Sequence, residues 1–154
     1  MIAKKNIKIY LVSASKQLMS VIEEKISAEE IFNLEGTSFD FITALQSAKR
    51  KMCDILIIDT GIPVFDAEAM LKKIAEEIPM GVLFLTGGGM TITVTQKGIP
   101  YDTVVKPVLI GEKEMNKQVY TGFLSELVVK IKILSTAKVE KNSVILPELS
   151  SRKI

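Results

Sequence analysis

The sequence predicts an α/β fold: a doubly wound, five-stranded parallel sheet with helices on both faces. Two observations carry this expectation. Short apolar runs alternate along the chain with stretches of helical period. The runs are also apolar throughout rather than at every second residue, as expected of strands buried on both faces.

The elements follow in order. IKIYLV (7–12) reads as the first strand, and SKQLMSVIEEKIS (15–27) as a helix with Leu18, Val21, Ile22 and Ile26 on one face. IFNLEG (31–36) is a less apolar second strand. SFDFITALQSAKRK (38–51) gathers Phe41, Ile42, Leu45 and Ala48, with Lys49, Arg50 and Lys51 at the C-terminal end, where cations suit the helix dipole. DILIID (54–59) is the third strand. DAEAMLKKIAEEI (66–78) is the third helix, with Asp66 as its N-cap and Met70, Leu71, Ile74 and Ile78 as its buried stripe. GVLFLT (81–86) is the fourth strand and TVVKP (103–107) the fifth. Between them, 90–102 is Thr-rich, contains Gly98 and Pro100, and is expected to hold a short or distorted fourth helix. NKQVYTGFLSELVVKIKILSTA (116–137) is a long last helix, with Val119, Phe123, Leu127, Ile131 and Leu134 in register. The expected division is one domain over 1–137 and a linker or tail over 138–154. Five such units imply a flavodoxin-like sheet of order 2-1-3-4-5, with its functional crevice beyond the carboxyl ends of the strands.

Composition removes several function classes. There is no histidine, so neither a Ser-His-Asp nor a Cys-His arrangement can form within the chain. His-containing zinc sites fall for the same reason, and the single cysteine, Cys53, excludes a four-cysteine site and an internal disulfide. Cys53 itself reads as a small buried residue. The net charge of +2 offers no electrostatic case for nucleic acid or an anionic membrane. No apolar run approaches the ~20 residues that span a bilayer. A soluble, cytoplasmic protein is expected. GGGMT (87–91) lacks the spacing of a phosphate-binding loop.

The strand ends carry the chemistry. The first strand ends at Ser13 and Ala14, the third at Asp59, the fourth at Thr86 and the fifth at Lys106 before Pro107. A carboxylate, a hydroxyl and an ammonium are therefore expected on one rim. Read singly, each has a plainer role: a turn cap, a β-former and a surface lysine.

IIDTGIP, LFLTG and VVKP, taken in order, resemble the receiver domain of bacterial response regulators over roughly residues 6–137. NLEGTSFDFITAL resembles that family's second strand and following helix. The stretch VLIGEKEMNKQ (108–118) is most similar to the receiver domain of the chemotaxis methylesterase. The resemblance implies that Asp59 is the phosphoacceptor, taking a phosphoryl group from a phosphohistidine. It implies that Thr86 and Lys106 contact the phosphoryl oxygens and that Gly87 leaves room for the group to enter. It also implies a Mg²⁺ ion, a hard cation wanting oxygen ligands, held by Asp59, the carbonyl of Gly61 and an acidic pair after the first strand. A cis Lys106–Pro107 bond belongs to the same pattern.

The sequence departs from that pattern at the acidic pair, which aligns with Ser13 and Ala14. Ser13 offers only a neutral hydroxyl to a metal and Ala14 offers nothing, so Mg²⁺ binding is expected to be weakened. The aromatic residue that reports phosphorylation in the family aligns with Thr103, with Tyr101 two positions earlier, and Ala67 replaces a usual Gly. The expected function is a non-enzymatic, receiver-like signalling module of phosphorelay type, a pseudo-receiver in which a salt bridge from Lys106 to Asp59 mimics the neutralised site. The expected partners are a histidine kinase or another signalling protein. A homodimer through the face of the fourth helix, fifth strand and fifth helix is the further expectation. Two alternatives stand beside it: the regulatory domain of a chemotaxis-type methylesterase separated from its catalytic domain, and a flavodoxin-like domain binding flavin or a corrinoid.

Overall fold

A computed structural model describes residues 6–94, 98–107 and 117–144, with side chains in the last helix described over 120–136. The elements are β1 (Ile7–Val12), α1 (Lys16–Ser27), β2 (Phe32–Ser38), α2 (Phe41–Arg50), β3 (Ile55–Asp59), α3 (Ala67–Glu77), β4 (Gly81–Thr86), β5 (Tyr101–Val105) and α4 (Lys117–Val144). The strands form one sheet in the order β2-β1-β3-β4-β5, and every pairing is parallel. This is the predicted doubly wound, flavodoxin-like topology.

The continuous apolar strands are explained by the two cores they serve. Alternate residues point to opposite faces. Ile9, Leu11, Ile55, Ile57, Leu83 and Leu85 pack under α1 and α4. Tyr10, Val12, Leu56, Ile58, Val82 and Phe84 pack under α2 and α3. A strand with a polar face would leave one of these layers uncovered.

Each short helix begins at a side-chain cap. Ser15 accepts from the Leu18 amide, Asp40 from the Thr43 amide and Asp66 from the Ala69 amide. Each takes up a backbone donor that the first turn cannot satisfy internally. Most expected stripe residues are buried, though Val21 and Ile78 are only partly so and the Val119 side chain lies outside the described residues; in α2, Ala44, Leu45 and Ala48 face the core while Ile42 lies on the solvent side.

The largest departure lies between β4 and β5. Among the described residues there, no helix forms. Gly87, Gly88 and Gly89 favour an open turn, the β-branched residues that follow have no helical period, and Pro100 precedes the strand. The expected dimer face therefore lacks its fourth helix among the described residues. β5 begins at Tyr101, earlier than predicted, and ends at Val105, so Lys106 and Pro107 stand just past the strand. The last helix continues to Val144, past the boundary expected at 137. The stretch 108–116, which carried most of the methylesterase-like signal, lies outside the described residues. No helix among those described is long and apolar enough to cross a membrane.

Candidate functional site

Register places the predicted residues on one rim. Asp59 pairs with Leu85, one residue short of Thr86, and Val12, just before Ser13, pairs with Ile58. Thr86 pairs with Val105, just before Lys106. The main chain reinforces this edge. The Lys106 amide donates to the Thr86 carbonyl at 2.9 Å. The Ile62 amide donates to the Asp59 carbonyl at 3.2 Å, closing a turn after β3. Thr60 braces that turn against β4: its amide and its hydroxyl both donate to the Leu85 carbonyl, each at 3.0 Å.

Asp59 is only 2 % exposed. A carboxylate so far from water requires partners, and it has three. The Lys106 ammonium forms a salt bridge with Oδ1. The Gly61 amide donates to the same oxygen at 2.9 Å. The Ser13 hydroxyl, fully buried, donates to Oδ2 at 2.7 Å. Gly61 also makes space: a Cβ there would lie 3.3 Å from Lys106 Nζ and 3.4 Å from Asp59 Oδ1.

Thr86 and Gly87 share the rim. Thr86 is 2 % exposed, whereas a Cβ at Gly87 would meet nothing within 4 Å, so the space above it is open. Tyr101 pairs with Val82, low on β4, and its ring packs edge-on against Phe84 with centroids 6.0 Å apart, well below Thr86. The described peptide bonds are all trans, including Lys106–Pro107, contrary to the cis bond that the resemblance implied.

One role escaped the sequence reading: Ser13, weighed there only as a metal ligand, is a donor to Asp59. The turn cap read at Asp59 forms through the Gly61 amide. The spacing of Asp59 and Gly61, two residues apart with Pro63 beyond, is the signal of the Asx turn that forms here.

Comparison with solved structures identifies the architecture. The response regulator domain of Thermotoga maritima CheB superposes with a TM-score of 0.65, at 20 % identity, over 86 % of this chain and 98 % of that one. The fold is that of a receiver domain. A signal receiver domain of an HD domain-containing protein from Pseudomonas fluorescens Pf-5 matches this receiver fold with a TM-score of 0.62, at 16 % identity, over 94 % of this chain and 97 % of that one. Among curated sequences, a protein-glutamate methylesterase/protein-glutamine glutaminase of Thiobacillus denitrificans is 26 % identical over 139 residues, which is 87 % of this chain and 37 % of that protein. The receiver-like chain thus spans well under half the length of the curated relatives it matches. No family model matches the chain.

Proposed function

We propose that this chain is a non-enzymatic, phosphorelay-type signalling module, a pseudo-receiver that acts through protein contacts with Asp59 as its residual phosphoacceptor. The observation that carries the reading is the occupancy of Asp59. Both carboxylate oxygens already accept hydrogen bonds, and one is paired with a cation. A nucleophile with three of its about four acceptor sites engaged and its charge offset by an ammonium is less reactive towards phosphorus.

The same geometry supports weakened Mg²⁺ binding. Mg²⁺ demands several oxygen ligands in near-octahedral order. Ser13 gives its proton to Asp59, Ala14 has no side-chain donor atom, and among the described residues no three His, Cys, Asp or Glu side chains gather to hold a metal. The residues do not fit the ion, and the Lys106 ammonium supplies the positive charge instead. Thr86 and Gly87 retain the phosphoryl-contacting positions of the family pattern.

The deciding experiment is incubation with acetyl phosphate and Mg²⁺, read by intact mass. No phosphoryl adduct, or a trace that Asp59→Asn abolishes, is expected. Stoichiometric labelling that depends on Asp59 overturns the pseudo-receiver reading and restores an ordinary receiver.

The proposed partners are a histidine kinase or another signalling protein, and a second copy of the chain through the β5–α4 side. Val105, Val129 and Ile133 are exposed large apolar residues of β5 and α4. Sedimentation should show a dimer that Ile133→Asp disperses. A monomer at high concentration removes the self-association. Similarity to the methylesterases favours a second reading, in which this is the regulatory domain of such an enzyme. A methylesterase domain encoded in the same frame would decide for it.

A further inference from the structure

We propose that Ser13 is a positioning residue that ties Asp59 to the start of α1, so that a change at the carboxylate is passed to that helix. The inference rests on Asp59 being the centre of the site, as proposed above.

Three hydrogen bonds run in series. The Leu18 amide, in the first turn of α1, donates to the Ser15 hydroxyl at 3.1 Å. The Ser15 amide donates to Ser13 Oγ at 3.0 Å, and Ser13 Oγ donates to Asp59 Oδ2 at 2.7 Å. A serine hydroxyl has a single proton. With the Ser15 amide directed at its oxygen, that proton is committed to the carboxylate. Strand alternation supports the direction of the link. Asp59 follows Ile55 and Ile57, on the face that α1 and α4 cover.

The carboxylate accepts from three donors, and an amide in its place cannot. Asparagine offers one acceptor and one donor group. If its nitrogen faces Lys106, a donor meets an ammonium at close range, which Coulomb repulsion disfavours. The nitrogen therefore turns to Ser13. The Ser13 hydroxyl then receives two N–H groups and must find a new acceptor for its own proton, which disturbs its bond to Ser15. Any modification that blocks Oδ2 makes the same demand.

The test uses amide spectra of the full chain as wild type, Asp59→Asn, Ser13→Ala and the double variant. Asp59→Asn is expected to shift the Ser15 and Leu18 amides. In the Ser13→Ala background the same change is expected to shift them no more than amides at the far end of α1, such as Lys25. Equal shifts in both backgrounds overturn the proposal. Should Ser13→Ala not fold, Ser13→Cys, similar in size but only a weak donor, carries the same comparison. The Lys106 ammonium resonance separates the two levels of the argument. If Asp59→Asn moves Lys106 but not Ser15, the site reading stands and the link to α1 falls. If it moves neither, both fall.

Discussion

Lys106 holds the charge balance of the buried rim, and its removal is the most informative single substitution. Lys106→Ala leaves a carboxylate of 2 % exposure without a cation. Lys106 itself keeps 22 % exposure, so the cost should fall below that of a fully buried pair, at ~2–3 kcal/mol. A urea midpoint series measures it, and a double variant with Asp59→Asn should lose less than the sum of the two single losses. Val64 offers a gain. It is β-branched, almost fully exposed, and sits at φ 57, in the left-handed region. Val64→Gly should stabilise by ~0.5–1 kcal/mol in the same assay. Cys53 gives a pH signature. Burial, with the Glu35 carboxylate adding to it, raises its thiol from 9.0 to about 11. The folded state thus favours the neutral thiol. That contribution is complete below about pH 9 and is lost as pH climbs through about 11. The fall in stability over this window should be smaller in Cys53→Ala. At this scale Asp59 and Lys106 were legible because a charge ending an apolar run is conspicuous. Ser13 was not, because its partner lies far along the chain and a hydroxyl's direction is not written in spacing.

Elements were legible where caps and period agree. Asp66 begins α3 as the pattern predicts, and Asp66→Ala should cost ~1 kcal/mol by thermal or urea unfolding. The connection after β4 misled because its glycines, its β-branched residues without period and Pro100 were read as a short or distorted helix, whereas among the described residues they form none. β2 hides a further feature. Its register with β1 shifts between Ile9 and Tyr10, and the Tyr10 hydroxyl reaches across to Ser38 Oγ at 2.8 Å. A Cβ at Gly36 would lie 2.8 Å from the Tyr10 ring. That ring can move only by giving up its hydroxyl contact, so the glycine reflects a contact that no local pattern announces.

Among the described residues the molecule is one sheet shared by two apolar layers. β1, β3 and β4 have strand neighbours on both sides, while β2 and β5 have one each. Native-state hydrogen exchange should therefore be slowest in the three inner strands. Topology was legible because the order of buried strands and intervening helices leaves few right-handed ways to wind a parallel sheet.

Lys130 on α4 gives the outer margin of this sheet a safeguard. Its ammonium meets Asp102 Oδ1 at 3.3 Å, Glu126 Oε2 at 3.2 Å and the Thr103 carbonyl at 2.7 Å. β5 is an edge strand, and an unpaired carbonyl row is a template on which foreign chains add. A charged side chain seated on one of those carbonyls makes such addition expel a cation from its acidic neighbours. Edge-to-edge strand addition along β5 should therefore be disfavoured, and Lys130→Ala is expected to raise the aggregation rate on incubation.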